Sequence, residues 1–430
     1  MGKFKANLIY IIKRNIKLKD TLKLMLMIVQ FPIVIGVYLI LKVKRDVPKE
    51  IWLIGEMGID AKDNGLAFFK YLNAEHPEIN SVYYIAGDSA AADKVRKIGK
   101  TVQTGSFAHK LAFMSARYVL STHDGYPIPF KGVNWREYKK VCGWLTPNKK
   151  YVFLSHGVNK DDCGASFYYG RTKFDYFVTT IKPEYEEMTR PKYGYPSGNI
   201  VRTGLSRYDS LQKNVDIVPK ERRILYMPTW RYYLADVSDD EFVQSTYFKR
   251  INDFLHNPRL NKLLEDEGVT FYFFPPHHEI QKRIPLFKLD NTNIKTLDTE
   301  KVNFAEALLK SSMMITDFSS VIFDFAYLRR RTAYYQFDLK EYRSGQYKEG
   351  YFSYERDGFG PIYSDPEKLI EEIQRAINSD FDVEGKYLTR INRTFPNHDS
   401  KNCERLYKVL IWSPNWHLLP SLSPMVRKKG

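Results

Sequence analysis

The sequence predicts an α/β protein of two doubly wound domains, preceded by a membrane-associating segment. Three observations predict it. From Lys49 onward, short apolar runs alternate with helix-like segments, as in a parallel sheet with crossover helices. The alternation pauses at a polar, proline-containing stretch, QKNVDIVPKERR (212–223), and then restarts. Most of the suggestive polar residues fall just past the carboxyl ends of the expected strands, the edge where open parallel sheets bind ligands. A chain of 430 residues also exceeds one ordinary core and suits two domains plus extras.

The N-terminal segment, 1–48, reads as a membrane anchor. Residues 1–50 hold eleven Lys or Arg against three acids, a net of +8 and half of the chain's +16. Such charge serves an anionic partner. The uncharged stretch LMLMIVQFPIVIGVYLIL (24–41) selects an anionic membrane surface over nucleic acid, which would call for basic and aromatic residues without a long apolar block. As a helix the stretch would run roughly 27 Å, close to the bilayer core. A secretory signal is disfavoured, because the preceding basic region is long and no small-residue cleavage site comes after it. Before it, lysines mix with apolar residues at 8, 9, 12 and 16, which suits a helix lying among headgroups. Both flanks are basic, and Pro32 and Gly36 interrupt the middle. A true span and a re-entrant or interface-embedded anchor therefore both remain open, with a buried core helix as the bland alternative.

The first Rossmann-like domain, 49–214, takes its strands from IWLIG (51–55), SVYYIAG (81–87), RYVLST (117–122), YVFLSHG (151–157), FDYFVTT (174–180) and NIVRTG (199–204). NGLAFFKYLNAEH and GSFAHKLAFMSA supply helices between them. The second, 215–412, restarts with ILYMPTW (224–230), VTFYFFPPH (269–277), NIKTL (293–297), SMMITDFSS (312–320) and TAYYQFD (332–338), with helices such as 301–310 and 319–329. Residues 413–430 form a proline-rich tail that ends basic. The cysteines, Cys142, Cys163 and Cys403, match no zinc spacing and fit a reduced, cytosol-facing chain. No H-E-x-x-H or D-x-D pattern is present, and no metal or cofactor is expected.

The candidate site collects at the strand ends. His123 and Asp124 follow YVLST, Gly204 to Arg207 follow IVRT, Thr229 to Arg231 follow ILYMP, and His277 follows VTFYFFPP. In TDFSSVIFDF (316–325), Asp317 or Ser319 could cap a helix starting near Ser320, with hydroxyls and free N–H groups suited to phosphate; ordinary capping explains the residues equally well. Arg231 in PTWR has a fork suited to a diphosphate, or is a surface loop arginine. Of the adjacent His277 and His278, one faces the cleft, since neighbours in extended chain point opposite ways; a two-histidine metal site is disfavoured. In FLSHGVNKDD (153–162), His156 sits at the ligand edge, where a neutral imidazole could take a proton from an attacking hydroxyl. Gly157 would allow close backbone approach and Lys160 could neutralise phosphate. Asp161 or Asp162 could orient the imidazole or cap the next helix. A strand-end histidine bonded to backbone is the bland alternative, and Cys163 reads as a bystander.

FLSHGVNKDD, TGLSRYDSL, ILYMPTWR, FFPPHHEIQ, ITDFSSVIFDFAY and GYFSYERDGFGP occur in that order between residues 50 and 400. Together they resemble the CDP-glycerol:poly(glycerophosphate) glycerophosphotransferase family, the teichoic-acid primases and polymerases and their capsule relatives. The resemblance implies a GT-B-like pair of Rossmann domains facing a cleft. It implies a CDP-polyol donor, an acceptor linked to polyprenyl diphosphate, release of CMP and work at the cytoplasmic face of a bacterial cell membrane. It casts His156 as the base and His277 near the donor diphosphate. It makes Ser319 and Ser320 the phosphate cradle, matches Arg231 to the family's P-T-W-R arginine and gives Asp209 a less defined part; the residues read by themselves add Thr229, Asp317, Gly157, Lys160 and Arg207 as expected substrate-binding groups. Many members have W-H-G-T-P-L-K where this chain has Ser155 before the histidine and V-N-K-D-D after the glycine, so a glycerol phosphate product is not assured. Two other classes remain: a GT-B glycosyltransferase using a nucleotide sugar, and a non-catalytic membrane-bound scaffold. A homo-oligomer is compatible with the sequence.

Overall fold

The computed structural model describes residues 16–43, 50–130, 132–218, 220–275, 277–289, 292–298 and 302–412. The expected headgroup segment before residue 16, the basic flank 44–49 and the tail from 413 lie outside the described residues.

A seven-stranded sheet comprises β1 Ile51–Gly55, β2 Ser81–Ile85, β3 Thr101–Gln103, β4 Ala116–Ser121, β5 Lys150–Phe153, β6 Tyr176–Thr179 and β7 Ile200–Arg202, in the order β3-β2-β1-β4-β5-β6-β7. A six-stranded sheet comprises β8 Arg223–Met227, β9 Thr270–Phe273, β10 Ile294–Thr296, β11 Met313–Thr316, β12 Arg331–Tyr335 and β13 Ile362–Tyr363, in the order β10-β9-β8-β11-β12-β13. Every pairing is parallel. Each sheet reverses its winding once, between β1 and β4 and between β8 and β11, so each has a switch point where loops diverge. The α/β class with two parallel sheets is thus the observed architecture. Two short edge strands escaped the sequence. TVQ is only half-buried and IY is two residues long, so neither makes an apolar run.

The helices that position the site are α1 Ile16–Val43, α2 Asn64–Glu75, α3 Phe107–Ser115, α4 Trp135–Cys142, α5 Lys182–Met188, α6 Arg207–Asn214, α7 Phe304–Lys310, α8 Val321–Tyr327, α9 Leu339–Gly345 and α10 Asn402–Ile411. Helices cover both sheet faces, so successive strand residues enter opposite cores. Ile51 and Leu53 join one cluster with Phe113 and Tyr138, whereas Trp52 and Ile54 join another with Phe68 and Phe69. In β8, Ile224 and Tyr226 face one way and Leu225 and Met227 the other.

α1 contains the uncharged stretch. Its Phe31 and Val34 are buried in the first domain, with the Phe31 ring 5.4 Å from Phe130 and 6.3 Å from Tyr138. Met25, Ile28, Val29, Ile33, Leu39 and Ile40 are exposed on the same helix. Among the described residues, no helix is long and apolar enough to cross a membrane.

The expected boundary 215–412 needs a correction. α10 leaves the second domain and packs Cys403, Leu406, Val409 and Leu410 into the cluster that holds Trp52, Phe68 and Leu120. Apolar residues also knit the halves together. Val158, Leu205, Tyr208 and Leu211 share a core with Leu225, Phe318, Phe323 and Tyr354.

Candidate active site

β5 ends at Phe153, and the chain then turns sharply. Ser155 adopts φ +56°, a left-handed conformation that costs a non-glycine residue roughly 1–2 kcal/mol. Two bonds hold it there: Asn64 donates its side-chain amide to the Ser155 carbonyl (2.8 Å), and the Ser155 hydroxyl donates to the Gly157 carbonyl (2.8 Å). The turn swings His156 out of the strand line into the open. Glu184, on α5 and buried, fixes the loop beyond Gly157 by accepting from the Asn159 amide (2.8 Å) and side chain (2.9 Å) and from the Thr180 amide (2.7 Å). At the end of β1, Glu56 likewise accepts from the amides of Lys62, Asp63 and Leu66, which sets the start of α2. Burial, aided by Asp63, pushes Glu56 up to about 7.

The His156 imidazole lies flat against that of His123, with centroids 4.9 Å apart and planes 12° apart. One face of the residue meets solvent, yet the surrounding wall lowers its pKa. Burial is the main cause, Arg207 adds to it, and Asp63 opposes it. The imidazole is thereby biased towards the neutral form that can accept a proton.

The second wall meets this one at Gly157. A β-carbon there would lie 3.0 Å from the Ser320 Oγ, so a larger residue would push the serine hydroxyl aside. Ser320 is the residue before α8, and its own side chain makes no capping bond. Ser319 does the capping, accepting from the Val321 amide (3.3 Å). Asp317 does not cap. It is fully buried and accepts from the amides of Thr229 (2.8 Å) and Phe318 (2.6 Å) and from Arg231 (2.8 Å). Among the described residues, the Thr229 Oγ1 is buried without a hydrogen-bond partner. Next to it, Trp230 stacks on His277, centroids 4.3 Å apart and planes 2° apart. His277 Nδ1 accepts from the Glu279 amide (3.3 Å), which places the ring proton on Nε2. A chain of neighbours thus runs from His277 through Trp230, Thr229, Asp317, Ser319 and Ser320 to Gly157 and His156.

Five expected ligands prove to be committed within the protein. Arg231 is fully buried. Its fork donates to Asp338 through Nε and Nη2 (2.8 Å each), to Asp317 through Nη2 (2.8 Å) and to the Thr229 carbonyl through Nη1 (2.6 Å), so it braces the loops rather than gripping a diphosphate. Asp317 is spent on that same brace. Asp209 accepts from the Asn402 amide (2.8 Å) and side chain (2.7 Å) and from the Cys403 amide (2.9 Å), which makes it the anchor of α10. Lys160 is buried against Asp161 with its ammonium over the Tyr354 ring, away from solvent. Arg207 bridges the walls: it donates to both Asp324 oxygens (2.6 and 2.9 Å), to Asp63 (2.6 Å) and to the His156 carbonyl (3.0 Å). Asp161 pairs with Arg343 of α9, and Asp162 accepts from the Gly164 amide, so neither orients the imidazole. Burial pushes the Cys163 thiol up to about 12, in keeping with a bystander.

His156, His277, Ser319 and Ser320, each at least partly exposed, therefore remain as the candidate groups at this edge, with Gly157 and the Thr229 hydroxyl buried beside them. A neutral imidazole facing hydroxyls and a second ring N–H suits proton removal on one side and anion binding on the other. Sequence reasoning noticed His123 at its strand end but gave it no part. Asn64, Asp63 and Glu184 gave no signal, because a polar residue at a helix start reads as ordinary capping.

The chain matches the CDP-Glycerol:Poly(glycerophosphate) glycerophosphotransferase family over residues 37–412. It is 29% identical over 372 residues to the minor teichoic acid biosynthesis protein GgaB of Bacillus subtilis (strain 168), spanning 84% of this chain and 40% of that protein. It is 31% identical over 185 residues to a teichoic acid poly(glycerol phosphate) polymerase of Staphylococcus epidermidis, spanning 42% of this chain and 24% of that one. In fold it resembles a histidine variant of the wall teichoic acid polymerase TagF, with TM-score 0.64 and 18% identity over 94% of this chain and 100% of that one. Another histidine variant of TagF was soaked with CDPG.

Proposed function

We infer the reaction from one premise: the chain belongs to the CDP-glycerol:poly(glycerophosphate) glycerophosphotransferase family. It transfers glycerol phosphate or ribitol phosphate from a CDP-polyol to a hydroxyl of a polyprenyl-diphosphate-linked acceptor, in the synthesis of a teichoic-acid or capsule-type polymer. The CDPG soaked into TagF and the teichoic-acid relatives support that donor and product class. The acceptor oxygen attacks the β-phosphorus, the bond from that phosphorus to the CMP oxygen breaks, and CMP leaves. His156 takes the hydroxyl proton. The hydroxyls of Ser319 and Ser320 and the His277 ring hold the diphosphate, so that positioning and charge stabilisation supply most of the acceleration. The observation that carries this reading is an exposed His156 whose neighbour, Gly157, abuts Ser320 of the opposite domain. The apolar residues exposed on α1, beside the basic charge of the first 50 residues, support work on the cytoplasmic face of an anionic bacterial membrane.

The purified chain, given CDP-glycerol or CDP-ribitol and a short lipid-linked acceptor, is expected to release CMP and lengthen the acceptor by one polyol phosphate. His156→Ala is expected to lower turnover by about 10²–10⁴-fold while leaving donor binding by calorimetry unchanged. Near-normal turnover in that variant refutes the assigned base. Release of a nucleoside diphosphate instead of CMP identifies a sugar transferase, and absence of both turnover and nucleotide affinity identifies a scaffold.

A further inference from the structure

Of the polar groups gathered at the strand ends, His123 has no part in the transfer step, yet it is the closest aromatic neighbour of the base. Its own placement is rigid. The His123 amide donates to the Ser121 hydroxyl (3.2 Å), and its carbonyl accepts from the Ser121 hydroxyl (2.8 Å) and from the Tyr151 hydroxyl (3.1 Å). Its ring Nδ1 bonds the Thr122 hydroxyl at 2.9 Å. Tyr126 meets the ring edge-on, with centroids 6.0 Å apart. Thr122 thus grips the His123 imidazole through its hydroxyl.

His156, in contrast, stands on a turn that begins with a left-handed serine and projects into the open. A ring in that position can rotate unless something fixes its plane. We propose that His123 is a positioning residue for the transfer reaction: its ring, laid flat on His156, sets the plane in which the base meets the acceptor hydroxyl. The proposal rests on the reading of His156 as that base.

Stacked imidazoles also titrate as a pair, since a proton on one disfavours a proton on the other. The charged groups around the pair are Asp60 and Asp63 on the His123 side, and Asp63 and Arg207 on the His156 side. With these unchanged, replacing His123 should turn a two-step titration of His156 into a single step.

Two substitutions separate stacking from mere packing. His123→Ala is expected to lower kcat by about 10- to 100-fold with the donor KM within about twofold, as a misplaced catalytic group does. His123→Phe keeps a flat plate and is expected to recover to within about threefold of the native kcat. A native kcat in His123→Ala, an equal loss in both variants, or a loss borne by donor KM overturns the proposal. NMR titration of the His156 imidazole without substrate supplies a second readout. A two-step curve in the native chain and one step in His123→Phe support the stack, and identical curves refute it. If the native chain turns over no CDP-polyol, the transfer reading fails, and the titration still decides the pairing.

Discussion

A base must be uncharged before it can take a proton, so the value at which His156 gains one sets the acid edge of the reaction. Its surroundings pull in both directions. Protein packed around the ring and the Arg207 guanidinium disfavour imidazolium, whereas Asp63 favours it; burial wins and the pKa falls below the ordinary histidine value. A lowered pKa keeps the base neutral further into acid, so kcat/KM is expected to fall to half its plateau below about pH 6.5. An acid limb centred above pH 7 in a rate profile would count against His156 as the base. At this scale the sequence was informative about the histidines and glycine, which sit at strand ends by register. It did not show the internal partners of Arg231 and Asp209, because a motif residue drawn towards the ligand edge can equally be drawn towards a buried carboxylate or a helix start. Only the fold decides which partner is nearer.

Three strand-end loops of the second domain converge on one guanidinium. Arg231 follows β8, Asp317 follows β11 and Asp338 follows β12, and all three side chains are buried. Removing one member of such a group leaves buried charge without a partner. Arg231→Ala is expected to cost about 3–5 kcal/mol in denaturant unfolding. The measurement also separates a brace from a ligand, since a phosphate-gripping arginine would lose donor affinity with little change in stability. The two sheets repeat another device. Lys149, just before β5, donates to the carbonyls of Phe113, Met114 and Ala116 at the end of α3. Arg330, just before β12, donates to those of Leu308, Leu309 and Ser311 at the end of α7. Corresponding positions of both folds thus place a basic side chain on the carbonyls that end a helix. Neither contact was legible beforehand. The apolar runs that build the long strands were, because burial on both faces writes itself into continuous hydrophobic sequence. The edge strands, exposed and short, carry no such mark.

For the molecule as a whole, the decisive residue is Asp209. It lies on α6, where the chain enters the second domain, and binds the start of α10, where the chain comes back. Asp209→Ala leaves three N–H donors without their acceptor and is expected to cost about 2–4 kcal/mol. Limited proteolysis should then release the C-terminal helix before either sheet is cut; release of both at the same rate would show that α10 is held by its apolar face alone. The outgoing passage and the returning one lie side by side, with the Arg405 guanidinium on the Thr203 carbonyl (3.0 Å). Two adjacent pins join the halves where a single cord would have let them swivel. With the Arg207–Asp324 pair and the shared apolar core beside them, these two passages hold the imidazole's loop in register with the serine across from it.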